Sequence, residues 1–262
     1  PYLGDETFLI CNGYKDEEMF DLILTGQRLG KTVIPVIEKF DEFELLDRLA
    51  NARGIRAEFG VRIRLMSTCS GQWAESGGDG SKFGVTIPEL LRIIDSLRQQ
   101  GREDSLALLH FHLGSQVSQI QSLRAGVKEI TRIYTQLADR GLRVKYLDVG
   151  GGLGVNYEAD LANPDEGINY TLQEYANTVV SIVEEMCRAE NVAPPILVSE
   201  SGRALTAHHS VLVVDVLSAY GKEEVAAGFV PCDDDHTVIR ALHDTLMWLR
   251  EDGVLRPAEL LE

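Results

Sequence analysis

Closely spaced cysteines are missing from this chain of 262 residues, whose four cysteines all lie far apart. There is no Cys-x-x-Cys pair, which argues against a zinc knuckle and against a small disulfide-stapled fold. Basic residues are also scarce, because 25 Lys and Arg stand against 41 Asp and Glu, for a formal net charge of −16. Such acidity disfavours general binding to nucleic acid or to an anionic membrane, although it still permits a local anion pocket.

Long apolar runs are lacking too, since none approaches the ~20 residues of a membrane-spanning helix, and no signal peptide is recognisable. Together with the separated cysteines, this predicts a cytoplasmic protein without a membrane partner. Apolar residues still make up 44% of the sequence, which is enough for a substantial core. The sequence begins at Pro1, without an initiator Met, and runs at once into a strand pattern. We therefore expect a fragment of a longer protein.

Short apolar runs alternate with helical periodicity along most of the chain, which predicts six β-then-α units. Repeated units of this kind form a parallel sheet with helices outside it. Because a closed barrel needs eight strands, the fold class predicted for residues 1–220 is an α/β, incomplete TIM-like (β/α)8 barrel. Residues 221–262 read as a separate helical segment. Strands are predicted near residues 8–11, 33–37, 57–65, 107–112, 146–149, 196–199 and 209–217, and helices near 16–29, 41–52, 87–100, 118–140 and 171–190.

Residues able to bind a cofactor follow three of these strands. His110 and His112 end one strand, the glycine-rich residues 150–154 follow the next, and the Ser-Glu-Ser-Gly-Arg residues 199–203 follow a third. Glycines let backbone N–H groups close on a phosphate, an Arg can bind it in bidentate fashion, and a Glu can keep a ring nitrogen protonated. Each feature alone also has a plain interpretation: a core histidine, a tight turn, or an ordinary Glu–Arg pair.

Arg62 and Arg64 alternate within an otherwise apolar strand and therefore need anionic partners. These partners are either a ligand inside the barrel or a structural ion pair with Glu58 or a neighbouring strand. His110 and His112 form a His-x-His pair of the kind that binds metals. No third ligand is evident, so no metal site is predicted.

In combination, six segments resemble the fold-type III pyridoxal-phosphate decarboxylases, which have an alanine-racemase-like barrel, and in detail the biosynthetic arginine decarboxylases. The resemblance implies pyridoxal 5'-phosphate as cofactor and decarboxylation of L-arginine to agmatine and CO2 in polyamine biosynthesis. It also implies Mg²⁺ as a common requirement, a homodimer or homotetramer, and a helical insertion after the barrel. The segments are residues 10–16, 60–65, 81–84, 110–116, 148–157 and 199–203.

The same resemblance implies a role for individual residues. His112 would stack on the pyridine ring, Glu200 would bond the ring nitrogen, and Arg62 would lie near the ring. A second group would bind the cofactor phosphate, namely Ser115, Gly151, Gly152, Gly202 and Arg203. A third group would line the substrate region, namely Asp148, Gly150, Gly154 and Tyr157. His110 keeps its interpretation as a core histidine with satisfied hydrogen bonds.

The sequence departs from this family in two respects. The family attaches its cofactor to a lysine in a Tyr-Pro-x-Lys segment, and it completes the active site across a dimer with a C-terminal β-domain; neither part is found here. We therefore expect the chain by itself to be inactive. Three alternatives stay open: another decarboxylase of this fold, such as a diaminopimelate or carboxynorspermidine decarboxylase; a cofactor-free regulatory relative; or a metal hydrolase using His110 and His112.

Overall fold

The computed structural model describes residues 7–67, 83–156, 167–209, 230–232 and 234–251, together with residues 213 and 215. The chain divides into two compact units, Pro1–Val211 and Leu212–Glu262. The first unit holds the predicted barrel, and the second holds one described helix. The predicted boundary between residues 220 and 221 stays a prediction.

Six parallel strands form a single sheet in the order of their appearance along the chain. The strands are β1 (Phe8–Cys11), β2 (Thr32–Ile37), β3 (Phe59–Arg62), β4 (Leu106–His110), β5 (Tyr146–Asp148) and β6 (Ile196–Val198). The helices are α1 (Glu17–Arg28), α2 (Phe40–Arg53), α3 (Ile87–Gln99), α4 (Ile120–Asp139), α5 (Leu172–Ala189), α6 (Gly202–Thr206) and α7 (Thr237–Glu251). The predicted βα alternation is confirmed, and the seventh predicted strand lies almost wholly outside the described residues.

Local chemistry explains where α3 and α5 begin. Thr86 caps α3 through a reciprocal capping box with Glu89, and proline occupies the first turn, as the sequence predicts. Thr171 and Glu174 form the same box at the start of α5. These caps satisfy backbone N–H groups that a helix start would otherwise leave without acceptors.

The sheet curls strongly, as a barrel wall does. The rings of Phe8 in β1 and Tyr146 in β5 lie 4.7 Å apart, although three strands separate β1 from β5. In a flat sheet that separation would be about 19 Å, because neighbouring strands are ~4.8 Å apart. The six strands therefore form part of a barrel, which agrees with the predicted fold class.

Two apolar layers cover the two faces of the sheet. The larger layer packs the helices on its outer face, through residues such as Phe20, Leu46, Ile94 and Ile130. A smaller inner cluster includes Ile34, Val36, Ala107 and Leu108, and Phe8, Ile10 and Tyr146 pack against it. Polar side chains are consequently concentrated at the carboxyl ends of the strands. Among the described residues, no helix has the length and apolar character needed to cross a membrane.

Candidate active site

Polar side chains from six consecutive strands meet at the carboxyl edge of the barrel wall. This is the edge at which parallel α/β barrels assemble their active sites. The curl of the sheet brings its two ends together, because the Asn12 amide after β1 donates a hydrogen bond to Glu200 Oε1 after β6. The residues that contribute are Asn12, Glu38, Arg62, His110, His112, Asp148 and Glu200.

The glycine loop after β5 packs closely on its neighbours. Gly150 and Gly152 adopt φ angles of +68° and +85°, which disfavour any residue with a Cβ. A Cβ on Gly151 would lie 2.9 Å from the Glu200 carbonyl oxygen, and one on Gly152 would overlap the carbonyl oxygen of Gly114. The loop therefore requires glycine both for its conformation and for its close approach to the segments after β4 and β6.

A second set of groups lies beside this loop. Arg203 Nη2 donates a hydrogen bond to Ser115 Oγ at 3.0 Å, which joins the segment after β6 to the segment after β4. A Cβ on Gly202 would meet nothing within 4 Å, so open space adjoins its backbone. In the described part of the chain, the N–H groups of Gly151 and Gly152 donate to no protein acceptor. A guanidinium, a hydroxyl and open glycine backbone suit a phosphate.

Glu200 is held from several directions. One carboxylate oxygen accepts from Asn12, and the other lies 3.6 Å from His110 Nε2. Burial would raise the pKa of Glu200, but the His110 imidazole and the Asn12 amide outweigh burial and hold its pKa below the ordinary value. A carboxylate that stays ionised and remains partly exposed is suited to hold a proton on a basic ring nitrogen.

Two fully buried groups lie behind Glu200. His110 and Asp148 are 2% and 0% exposed. A ring nitrogen of His110, a carboxyl oxygen of Asp148 and a carboxylate oxygen of Glu200 all lie within 4.8 Å of one another. Burial, followed by the nearby Glu200 carboxylate, raises the pKa of Asp148 to about 7. Asp148 thus points into the barrel, whereas Val149 joins the outer core.

His112 lies just beyond the end of β4 and is half-buried. Burial, and then the positive charge of Arg62, lowers its pKa to about 4. The imidazole is therefore neutral at pH 7. A neutral, flat side chain can lie against an aromatic cationic ring without electrostatic repulsion.

Arg62 pairs with a neighbouring element and not with Glu58. Its Nη1 lies 3.2 Å from Glu38 Oε1, and its guanidinium lies 5.2 Å from the centroid of the Phe83 ring. Glu58 instead pairs with Lys145 at 2.7 Å. The sequence left open whether Arg62 meets a ligand or a structural ion pair. The structure shows an ion pair with Glu38 at the end of the neighbouring strand, and the guanidinium also borders the site.

A buried ionic network supports Glu38 from behind. Glu42 Oε2 accepts from the Glu38 backbone N–H at 2.8 Å and lies 3.5 Å from Lys15 Nζ. Lys15 is 1% exposed and donates to the Gly13 carbonyl. Every charge in this network has a partner. The network therefore fixes Arg62 in position, and Lys15 serves to hold the network together.

Most of the predicted site residues come together at this edge, with some differences. Tyr157 lies outside the described residues, and a Cβ on Gly154 would lie only 2.8 Å from the Ile168 side chain. Arg64 donates to the Gly84 carbonyl at 3.1 Å and takes no part in the cluster. His110 is buried as expected, but neither of its ring nitrogens has a hydrogen-bond partner among the described residues, so the expected satisfied hydrogen bond is absent.

Sequence reasoning assigned no role to Asn12 or Glu38, although both belong to the cluster. Asn12 directly follows β1, and Glu38 directly follows β2. Their place directly after a strand is the sequence signal that could have identified them, because polar residues that follow parallel strands share one edge of the sheet.

The donor set fits pyridoxal phosphate, and no residue of the described cluster conflicts with it. Glu200 matches a protonated ring nitrogen, His112 matches a ring face, and the Ser115–Arg203 pair with the glycine loop matches a phosphate. The His110 nitrogens and Asp148 Oδ2 have no hydrogen-bond partner among the described residues, and both side chains are buried more deeply than Glu200, which leaves Glu200 as the accessible carboxylate of the three.

Comparison with known proteins agrees with this geometry. Residues 6–207 match the family model described as "Pyridoxal-dependent decarboxylase, pyridoxal binding domain". The biosynthetic arginine decarboxylase of Deinococcus radiodurans is 43% identical over 244 residues, covering 92% of this chain and 37% of the relative. That of Proteus mirabilis is 45% identical over 245 residues, covering 94% of this chain and 38% of the relative.

Solved structures show the same likeness. The biosynthetic arginine decarboxylase SpeA of Campylobacter jejuni matches with a TM-score of 0.71 and 27% identity, over 98% of this chain and 46% of that structure. Diaminopimelate decarboxylase of Helicobacter pylori matches with a TM-score of 0.60 and 22% identity, over 73% of this chain and 44% of that structure; this likeness shows the fold alone. The chain spans less than half the length of each of these proteins.

Proposed function

The chain belongs to the pyridoxal-dependent decarboxylases, and we propose that it is the cofactor-binding part of a biosynthetic arginine decarboxylase. The reaction would convert L-arginine to agmatine and CO2 in polyamine biosynthesis. Relatives of that name at 43% and 45% identity support the substrate. The structural observation that carries the proposal is the ionised Glu200 carboxylate, held by Asn12 and His110 at the carboxyl edge of the barrel.

When bound, pyridoxal phosphate supplies a conjugated ring that accepts the electron pair left at Cα as CO2 departs. Glu200 would keep the ring nitrogen protonated, because a neighbouring carboxylate favours the charged form of a base. The protonated nitrogen is what makes the ring a strong electron acceptor. His112 would lie against the ring and, being neutral at pH 7, would add no second positive charge.

Five residues would bind the cofactor phosphate. The Arg203 guanidinium and the Ser115 hydroxyl are already joined at 3.0 Å, so an anion between the two segments would meet donors fixed beforehand. The glycine backbone would complete the pocket at Gly151, Gly152 and Gly202. Such preorganisation limits the ordering entropy that binding would otherwise incur.

Arg62 would act on the edge of the ring. Its guanidinium is fixed by Glu38 and lies beside Phe83, so its charge is partly balanced and its direction is set. The substrate would enter beside the glycine loop, near Gly150, Gly154 and Tyr157. Asp148 belongs to the same predicted substrate region, and its side chain is completely buried.

The rest of the catalytic apparatus would come from outside residues 1–262. We propose that the lysine that carries the cofactor and the β-domain that completes the substrate pocket belong to other parts of the full protein. The full protein would form a homodimer or homotetramer in the cytoplasm. We also propose a Mg²⁺ requirement for the full enzyme, and we assign no ligand to it in the described residues.

The test uses the complete gene product. We expect the purified protein to show the visible absorbance of bound cofactor and to release CO2 and agmatine from L-arginine. Borohydride treatment should fix the cofactor on one lysine, and peptide mapping should place that lysine outside residues 1–262. Dialysis against a chelator, followed by addition of Mg²⁺, measures the metal requirement.

Three results would overturn parts of this proposal. Activity on meso-diaminopimelate but not on arginine would refute the substrate. A colourless full-length protein that does not bind added pyridoxal phosphate would favour a regulatory relative. Hydrolase activity that needs Zn²⁺ and no cofactor would favour a metal site at His110 and His112.

A further inference from the structure

A buried carboxyl group lies behind the carboxylate that faces the cofactor pocket. Asp148 is 0% exposed, and its Oδ1 accepts the Gly150 backbone N–H at 2.9 Å. Its Oδ2 has no hydrogen-bond partner among the described residues. Oxygens of Asp148 and Glu200 and a nitrogen of His110 all lie within 4.8 Å of one another.

Two negative carboxylates at this separation are unfavourable when one is fully buried. Like charges repel strongly where water is excluded, and a buried anionic oxygen without a donor loses its solvation. A single proton on Asp148 Oδ2 removes both problems, because it neutralises the buried group and turns the orphaned acceptor into a donor. Glu200 is the natural acceptor, since it is more exposed and already receives a hydrogen bond from Asn12.

We propose that Asp148 is a positioning residue, which keeps a proton up to about neutral pH and uses it to donate a hydrogen bond to Glu200, so that Glu200 stays anionic and correctly oriented toward the cofactor ring. The role toward the ring rests on the proposed function. The proton on Asp148 follows from the geometry of the cluster itself. This differs from a direct contact between Asp148 and the substrate.

The groups that face Asp148 agree with this assignment. They are His110 on β4, Glu200 after β6 and the backbone N–H of Gly150. His110 and Glu200, together with Arg62, also act electrostatically on the neighbouring His112. Burial and the Glu200 carboxylate raise the pKa of Asp148, while contacts with His110, Asn12 and Asp148 lower that of Glu200. The opposite directions place the shared proton on Asp148.

The proposal predicts a sharp difference between two substitutions in the full-length enzyme. Asp148→Asn mimics the protonated acid, because the amide can accept from Gly150 and donate to Glu200. Pyridoxal phosphate affinity at pH 7 should then stay within about threefold of wild type. Asp148→Ala removes the donor to a charged group, worth about 1.5 kcal/mol or more, and affinity should fall about tenfold or more.

The pH dependence supplies a second readout. The wild-type carboxyl loses its proton as the pH rises through about 7, so the ratio of Asp148→Asn affinity to wild-type affinity should rise by about tenfold between pH 6 and pH 8.5. Asp104→Asn is the matched control, since Asp104 forms an exposed pair with Arg56. Its ratio to wild type should be the same at both pH values.

Infrared difference spectroscopy on the protein without cofactor tests the proton directly. At pH 6 the wild type and Asp104→Asn should show the C=O stretch of a protonated carboxylic acid, and Asp148→Asn should lack it. An absent wild-type band overturns the proposal, as does an Asp148→Asn variant that binds cofactor as weakly as Asp148→Ala. If the wild type binds no cofactor but shows the band, the proposed function fails while the protonated Asp148 stands.

Discussion

Alanine at Gly152 tests whether the glycine loop is built for a close approach or only for its backbone conformation. Gly152 has a φ of +85°, and a Cβ there would overlap the carbonyl oxygen of Gly114. Gly141 has the same φ of +85°, but a Cβ there would meet nothing within 4 Å. The two substitutions therefore share the conformational penalty and differ only in the steric one.

The expected magnitudes follow from these contacts. A left-handed conformation costs a residue with a Cβ about 1–2 kcal/mol, and this should be the whole effect of Gly141→Ala. Gly152→Ala must also displace backbone, and overpacking adds about 1–3 kcal/mol, for a total of about 2–5 kcal/mol. The displaced loop is tied to the segment after β4 by the Val117 N–H to Gly152 carbonyl bond of 2.8 Å, so the neighbouring Ser115 should shift as well.

Urea denaturation of the full-length protein without cofactor measures the loss of stability. Fluorescence titration with pyridoxal phosphate measures the effect of the displaced loop on cofactor affinity. Gly152→Ala should be less stable than Gly141→Ala, and it alone should bind the cofactor more weakly. Equal denaturation midpoints would refute the steric argument. A destabilised Gly152→Ala with unchanged cofactor affinity would refute the phosphate role of the loop.

Three further substitutions test other parts of the site. Asn12→Ala removes the amide that donates to Glu200, and the loss of one hydrogen bond to a charged group should weaken pyridoxal phosphate binding about tenfold, as measured by fluorescence titration; unchanged binding would contradict this contact. Arg62→Ala leaves Glu38 buried without its cation and should lower the free energy of unfolding by about 3 kcal/mol. The double variant Arg62→Ala/Glu38→Gln should recover part of this stability, and no recovery would count against the Arg62–Glu38 ion pair. The pKa of His112 is lowered from 6.5 to about 4 in the folded protein. Between these two pH values the folded protein therefore binds fewer protons than the unfolded chain. The stability that this group contributes, of order 3 kcal/mol, is fully present above pH 6.5 and is lost as the pH falls toward 4. Denaturation series at pH 4.5 and 7 should show that slope reduced in His112→Gln, and an identical slope in both proteins would refute the assignment.

Much of the fold was predictable because its signals are local. The Thr86 cap with proline in the following turn locates α3, and short apolar runs between amphipathic segments locate the parallel strands. Strand ends were harder, since β3 stops at Arg62 while its apolar pattern continues to Leu65. The pattern records burial on two faces, whereas strand bounds depend on backbone pairing with neighbours.

The grouping of most site residues could also be predicted from the sequence. Parallel strands present their carboxyl ends at one edge, so residues that follow β4, β5 and β6 had to be neighbours. That reasoning brings His112, the glycine loop and Glu200 together before any coordinates are known. It says nothing of how far the sheet bends.

The curl of the sheet decided the remainder. Asn12 and Glu200 are 188 positions apart and follow the first and sixth strands, which a flat sheet would separate by about 24 Å at ~4.8 Å per strand. Only barrel curvature, the summed effect of twist and packing along the whole wall, brings them into hydrogen-bonding contact.

Residue types and their order along the chain thus determined the βα architecture and the chemistry available at the carboxyl edge. Tertiary structure alone decided the opposite pKa shifts of Asp148 and Glu200, because the burial of Asp148 and the approach of Glu200 depend on packing from several strands at once. A carboxyl group in the sequence is simply an acid. Whether it holds its proton depends on the water and the charges that the fold removes or places around it.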